Sequence, residues 1–228
     1  DAIVRRLPRV ELATEAVRVT PGNRRQIVTA RGSQGQREFR AHAVLLAVPA
    51  HAAVGLVEPF APDAAAALVA IPYPPVAVAI SAYRRGAIGH PLDGFGVLVP
   101  QRERRNILGT IFSSTLFAHR APSDIALLTT FVGGTRQPDL ARRSENEVAE
   151  LVQAEHVRVL GAPARAQFVR VKRWPRAIPQ YTLGHLSRIA AIEDAERSFP
   201  GVFFCANYRG GVAIGDCIKS ARRATDEV

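Results

Sequence analysis

The sequence predicts a mixed α/β fold, on three observations. Short apolar runs closed by proline or glycine, such as residues 43–48, are typical of buried strands. Residues 144–160 carry apolar side chains at helical spacing. Near the C terminus, an apolar strand at 202–205 runs into Gly210-Gly211 and then into a second amphipathic segment. Strands and helices therefore alternate over much of the chain.

Taken in order, each third of the chain has its own pattern. The first third is predicted to hold strands at 10–12, 16–19, 26–30 and 43–48 and helices at 50–57 and 63–70, with Pro62 and Asp63 at the start of the second helix. The middle is predicted to hold one sheet with strands at 76–83, 95–99, 106–112 and 126–132. Ser144 and Glu147 form a capping box that begins the helix at 144–160. The last part is predicted to hold strands at 167–173 and 202–205 and helices at 189–197 and 212–224.

Composition narrows the class of protein. With 228 residues, 47% of them hydrophobic, the chain can bury a substantial core. A net charge of +10 is compatible with nucleic-acid binding, but the arginines fall in pairs along the whole length and form no basic run. We therefore expect no nucleic-acid partner, while attraction to acidic lipid headgroups or to an anionic substrate stays open. No apolar run approaches the roughly 20 residues that a membrane-spanning helix needs.

Most motifs of catalysis are absent from the sequence. Its two cysteines and six histidines have no metal-binding spacing, so we expect no metal site. There is no G-x-S-x-G, no Walker loop and no G-x-G-x-x-G. The sequence contains no methionine, which suggests that the chain does not begin where its gene begins.

The paired glycines are the most informative feature. Gly210-Gly211 removes two β-carbons where the backbone could approach a ligand closely, and the free N–H groups that begin the next helix suit a negative charge. A turn that only packs a helix on a strand is the alternative.

The run FFCANYRGGVAIGDCI, residues 203–218, resembles the C-terminal flavin motif of the porphyrinogen oxidase family of monoamine-oxidase-like flavoproteins. Further segments resemble the same family in the same order: 92–100, 107–122, 127–134 and 174–185. The resemblance implies the C-terminal part of a Rossmann-like FAD-binding domain together with a mixed-sheet substrate-binding domain. The implied division is 1–48 and 191–228 on the flavin side and 49–190 on the substrate side. The glycine-rich fingerprint of the family's N-terminal part is missing, so the chain resembles the C-terminal half.

The resemblance also implies site residues, with an ordinary core position as the alternative for each apolar one. The cofactor-binding positions are Val17, Trp174, Asn207, Val212, Ala213 and Ile214. The substrate-binding positions, where two aliphatic side chains enclose one pyrrole ring and an aromatic side chain stacks on another, are Leu98, Ile111 and Phe131. Ala206 departs from the glycine that the family usually has there. No residue is implied as a catalytic base.

The implied function is FAD-dependent oxidation of a porphyrinogen, protoporphyrinogen IX or coproporphyrinogen III, with molecular oxygen as the acceptor, in haem biosynthesis. A cytoplasmic location follows, with peripheral association at the inner face of the cell membrane and a homodimer left open. The alternatives are another enzyme of the superfamily, an amine oxidase or carotenoid desaturase, and a non-catalytic folded module. Bound flavin would separate the enzymes from the module.

Overall fold

A computed structural model describes residues 2–226. The chain forms two compact units: the first comprises the residues up to Pro72 and those from Pro179 onward, and the second comprises Tyr73–Ile178. Among the described residues there are ten β-strands and seven α-helices, so the predicted mixed α/β class is confirmed. The functional division at 48/49 and 190/191 stays a prediction.

The first unit contains two small sheets and four helices. An antiparallel sheet is formed by β1 (Glu15–Thr20), β2 (Gln26–Gly32) and β3 (Gly35–Ala41). A parallel pair is formed by β4 (Val44–Leu46) and β10 (Val202–Phe204). The helices are α1 (Ala50–Val57), α2 (Pro62–Val69), α6 (His185–Ser198) and α7 (Ile214–Asp226). Helix α2 packs against both α1 and α6.

The second unit is one sheet with helices. Its strand order is β6 (Gly96–Leu98), β7 (Gly109–Ile111), β8 (Ile125–Gly133), β5 (Val76–Arg84) and β9 (Phe168–Trp174). The four middle strands predicted to share a sheet do so, with the segment at 167–173 as a fifth member. Every ladder that the described residues form in this sheet is antiparallel, whereas the family resemblance implied a mixed sheet.

Helix α5 (Glu145–Leu160) confirms the predicted capping box. The hydroxyl of Ser144 accepts from the N–H of Glu147 at 3.3 Å, and the Glu147 carboxylate accepts from the N–H of Ser144 at 2.9 Å. Gly161 ends the helix in the left-handed conformation, with φ of 60°. Val148 and Val152 of α5 pack in a core with side chains of the sheet. The helix therefore covers one face of the sheet.

Other sequence-based boundaries are wrong. Residues 10–12 form no strand, and Leu12 is 81% exposed. The sequence did not predict strand β3 or the short helices α3 (Ser113–Leu116) and α4 (Pro138–Arg142). Helix α6 begins four residues earlier than predicted, at His185, and α7 begins at Ile214 rather than at residue 212.

The described residues contain neither a membrane-spanning helix nor a cluster of metal-ligating side chains. Within residues 2–226, no helix has the length and apolar character needed to cross a bilayer. In the same stretch, no three His, Cys, Asp or Glu side chains converge as metal ligands would. Cys205 and Cys217 are both free thiols, with Cys205 buried.

Candidate functional site

The glycine turn, residues 207–211, lies in the connection between β10 and α7. Its two glycines are both left-handed, with φ of 82° at Gly210 and 127° at Gly211. A β-carbon at Gly210 would meet no atom within 4 Å, whereas one at Gly211 would overlap the carboxylate of Asp216. Glycine is therefore required at 211 by both backbone conformation and space, and at 210 by conformation alone.

Tyr181 closes this turn from the side. Its hydroxyl donates to the carbonyl of Asn207 at 2.8 Å and accepts from the N–H of Gly211 at 3.0 Å. Burial raises the pKa of Tyr181, the N–H of Gly211 lowers it, and the negative charge of Asp216 raises it. The net shift is upward, so the hydroxyl keeps the proton that it donates to Asn207.

His185, the first residue of α6, supports the Tyr181 ring. The two rings stack with centroids 4.1 Å apart and planes 12° apart. The Nε2 atom of His185 lies 2.9 Å from the carbonyl oxygen of Tyr208. Because a carbonyl only accepts, Nε2 carries the proton and donates it.

Ion pairs between Arg209 and two glutamates of α6 attach the same turn to this helix. The Arg209 guanidinium lies 2.8 Å from Glu196 and 3.1 Å from Glu193, and its side chain is only 16% exposed. Glu196 also accepts from the N–H of Phe204 at 2.8 Å. One carboxylate therefore ties the end of β10 to the turn that follows it.

The predicted cofactor-binding residues of this motif follow one another along the chain. Asn207 lies in the glycine turn, and Val212, Ala213 and Ile214 lie between it and the first turn of α7, with Ile214 82% exposed. Among the described residues, the backbone N–H groups of 212–216 have no hydrogen-bond partner. Unpaired N–H donors at a helix start, beside exposed apolar side chains, fit the polar edge and flat ring of a flavin.

Val17 lies elsewhere in the first unit, at an irregularity of β1. The ladder pairs Ala16 with Ala30 and Arg18 with Thr29, so the register skips Val17. A residue skipped in this way marks a β-bulge, which releases backbone polar groups from the ladder. This geometry suits a backbone contact to a ligand, the role that the resemblance implies for Val17.

The predicted substrate residues share one face of the five-stranded sheet. Because paired residues point to the same face, the register aligns Leu98, Gly109, Phe131, Val78 and Lys172 in one row. The adjacent row on the same face begins with Gly96 and Ile111. We name this the open face, because Leu98 is 90% exposed and Ile111 and Phe131 are partly exposed. Side chains of the opposite face pack in the cores that contain α5.

Trp174 also belongs to the open face. It pairs with Val76, which lies two residues from Val78 on the same side of β5. The ammonium of Lys172 lies 5.5 Å from the Trp174 ring centroid, in cation–π geometry. The structure thus brings Trp174 to the same sheet surface as Leu98, Ile111 and Phe131, within the second unit.

Sequence reasoning missed the roles of Tyr181, His185 and Asp216. Tyr181 and His185 belong to the segment at 174–185 that carries the family resemblance, which was the available signal for them. Asp216 belongs to the run at 203–218 that carries the resemblance, but a carboxylate in the first turn of a helix is ordinarily a dipole-stabilising residue and so was not singled out.

Comparison with known proteins places these features in a family. The model of the family described as flavin containing amine oxidoreductase matches residues 2–228. Protoporphyrinogen oxidase of Nicotiana tabacum mitochondria is 39% identical over 161 residues, which cover 69% of this chain and 32% of the relative. Chloroplastic protoporphyrinogen oxidase of Oryza sativa subsp. japonica is 32% identical over 240 residues, covering 100% of this chain and 45% of the relative.

A bacterial relative and two solved structures agree. Coproporphyrinogen III oxidase of Propionibacterium freudenreichii is 33% identical, over 84% of this chain and 36% of the relative. A structure from Exiguobacterium sp. 255-15, provisionally described as a protoporphyrinogen oxidase, superposes with a TM-score of 0.77 at 24% identity, over 93% of this chain and 46% of the other. A putrescine oxidase variant gives 0.71 at 16% identity, over 94% and 48%.

These matches cover most of the chain but only part of each relative. The chain spans between about a third and just under half of the length of the curated relatives named above. The structural likenesses, all below 25% identity, support the fold. Because the family model spans residues 2–228, the predicted membership of the monoamine-oxidase-like flavoproteins and the flavin cofactor are confirmed, and the chain belongs to the flavin containing amine oxidoreductase family.

Proposed function

We propose that this chain supplies the flavin-end contacts and the substrate sheet of an FAD-dependent porphyrinogen oxidase of haem biosynthesis. The observation that carries the proposal is the open face, on which Leu98, Ile111 and Phe131 lie together. The curated relatives named above are protoporphyrinogen and coproporphyrinogen III oxidases, which supports the choice of substrate class.

The open face suits a flat ligand with large apolar surfaces. Strands lie about 4.8 Å apart, so Leu98 and Phe131, which are two strands apart, are separated by roughly 10 Å. Ile111 lies in the next row on the strand between them. Three apolar side chains spread over such a span would contact more than one ring of a tetrapyrrole, whereas a small amine would fill little of it.

The glycine turn would hold the flavin end of FAD. We assign Asn207, Val212, Ala213 and Ile214 to this contact, Val17 to the adenine end through its backbone, and Trp174 to the flavin edge. Bound FAD would supply the two-electron acceptor chemistry, with molecular oxygen as the final acceptor. The N–H groups that follow Gly211 would stabilise negative charge that develops next to them.

The role of the protein in the reaction is binding, orientation and exclusion of water. Conversion of a porphyrinogen to a porphyrin removes six electrons and six protons, which three molecules of oxygen take up as three of hydrogen peroxide. The apolar side chains of the open face would keep the ring face dry during these three rounds. We assign no general base to the chain.

We also propose a cytoplasmic location with peripheral association at the inner face of the cell membrane, supported by the net charge of +10. A homodimer stays a prediction.

Purification of the natural gene product tests the function. We expect flavin absorption in the purified protein and porphyrin fluorescence with protoporphyrinogen IX or coproporphyrinogen III, together with hydrogen peroxide at three molecules per porphyrin. Putrescine and a carotene serve as competing substrates. Oxidation of either of these in place of the porphyrinogens would contradict the proposal, and so would a flavin-free protein without activity, which would favour the folded module.

A further inference from the structure

We propose that Tyr181 is a positioning residue that sets the backbone of the glycine turn, and that His185 orients it. The inference takes flavin as the ligand of the turn and rests on the proposed function to that extent. It assigns a role to two residues that the family resemblance left without one.

The glycine turn needs restraint from outside itself. Gly210 and Gly211 both have positive φ, and glycine loses more conformational freedom on ordering than any other residue. The space next to Gly210 is open, so packing does not hold this position. The shape of the turn therefore depends on hydrogen bonds to its backbone.

The Tyr181 hydroxyl makes two such bonds with one atom. It donates to the carbonyl of Asn207 and accepts from the N–H of Gly211, at 2.8 and 3.0 Å. These two backbone groups lie at the opposite ends of the turn, so one side chain closes it. A ring on a short stem has few rotatable bonds, which makes tyrosine well suited to fixing two points at once.

The same contact decides which donors face a ligand. Because the N–H of Gly211 is engaged by Tyr181, it is not available to the flavin. The unpaired N–H groups begin at Val212, among the residues that the structure describes. Tyr181 thereby directs the available donors towards the start of α7.

His185 holds the ring of Tyr181 in this place. The stacked rings, 4.1 Å apart, prevent the tyrosine from turning away, and Nε2 of His185 is anchored on the Tyr208 carbonyl at 2.9 Å. The histidine is 7% exposed and starts α6, so a helix end carries the support. Tyr208 itself belongs to the turn, which gives the pair three attachment points on it.

The substitution Tyr181→Phe separates positioning from packing, because it keeps the stacked ring and removes both hydrogen bonds. In the 228-residue chain, we expect the amide of Gly211 to exchange with solvent faster, measured by NMR. In the natural gene product, we expect the dissociation constant for FAD to rise about tenfold, with the melting temperature nearly unchanged. The matched control is Tyr83→Phe, which removes a buried hydroxyl from the second unit and should lower the melting temperature without affecting either readout.

A second variant tests the support. His185→Gln keeps a donor near the Tyr208 carbonyl but loses the stacked ring, and we expect an increase in Gly211 exchange smaller than that of Tyr181→Phe. If Tyr181→Phe leaves Gly211 exchange and FAD affinity unchanged, or if both variants unfold the protein, the positioning role is overturned. If both readouts change as expected but the protein oxidises no porphyrinogen, the proposed substrate fails and the positioning role stands.

Discussion

The Nε2 atom of His156 lies 2.7 Å from the hydroxyl oxygen of Thr130, on the covered side of the five-stranded sheet. The other ring nitrogen, Nδ1, lies 3.1 Å from the Tyr83 hydroxyl, and Thr130 in turn lies 2.9 Å from the hydroxyl of Thr110. All four side chains are buried. This polar chain ties α5 to strands β5, β8 and β7, and Thr110 and Thr130 directly precede Ile111 and Phe131 of the open face.

Stability should fall in mild acid because of His156. Burial lowers the pKa of this histidine to about 4, while an unfolded histidine titrates near 6.5. Between about pH 6.5 and about pH 4, His156 is therefore protonated in the unfolded chain but neutral in the folded chain. The stability contributed by neutral His156 is lost as the pH falls through this range. We expect the free energy of unfolding in urea to drop by about 2 kcal/mol between about pH 7 and about pH 5 from this residue.

The substitution His156→Gln is the control for this pH dependence. Glutamine cannot titrate, so the variant should be less stable at neutral pH, because the two hydroxyl partners are imperfectly satisfied, but its stability should change less between the two pH values. An equal loss of stability in both proteins would show that other groups cause the pH dependence.

The substitution Phe131→Ala should weaken porphyrinogen binding by roughly 1–3 kcal/mol and leave the flavin content unchanged. The physical reason is the position of Phe131 on the open face, in the row that contains Leu98. Phe112→Ala is the matched control, because Phe112 is 1% exposed and lies in the core of the same unit. That control should lower the melting temperature; loss of flavin or of folding in Phe131→Ala would instead identify Phe131 as a core residue.

How far the sequence predicts the structure depends on the distance between interacting residues. Helix α5 was predicted because its capping box and Gly161 act within a few residues of its ends. Strand β3 was not, because its segment GQREFRA is charged and forms an edge of the small sheet. The segment at 10–12 has apolar alternation but no partner strand, and pairing is what makes a strand.

The features of the candidate site were likewise predictable where they depend on neighbouring residues and unpredictable where they depend on distant ones. The glycine turn and the helix after it are continuous in sequence, so their succession was predicted from the residues alone. The contacts of Tyr181 join it to residues 26 and 30 positions away, which no local pattern reveals. That Leu98, Ile111, Phe131 and Trp174 share one face depends on the register of several ladders, and register is set by the whole sheet.

The 228-residue chain alone should not bind FAD tightly. The sequence contains no glycine-rich turn for the pyrophosphate, so only the flavin-end contacts and the Val17 backbone would contribute. Titration of the purified chain with FAD, followed by flavin fluorescence, checks this expectation. A dissociation constant below about 1 μM, equivalent to about −8 kcal/mol, would contradict it.

The substitution Gly211→Val should abolish flavin retention in the natural gene product. The φ of 127° at this position disfavours any side chain, and the new β-carbon would overlap the Asp216 carboxylate in the first turn of α7. Relief of that overlap would move the start of α7, which carries the N–H groups assigned to the flavin. The melting temperature and the flavin-to-protein absorbance ratio, measured on one sample, check the result.

The matched control is Gly210→Ala, whose β-carbon would enter open space. Its left-handed conformation costs about 1–2 kcal/mol with a side chain, so the melting temperature should fall while flavin is retained. The Cβ atom of Asp216 also lies 2.6 Å from the β-carbon added at Gly211, so only a glycine at 216 removes every overlapping side-chain atom. The single variant Gly211→Ala should lose flavin, and we expect the double variant Gly211→Ala/Asp216→Gly to recover part of it. Full flavin occupancy in Gly211→Val would mean that the turn does not face the cofactor, whereas parallel loss of flavin and folding would mean that the glycines serve the packing of helix on strand.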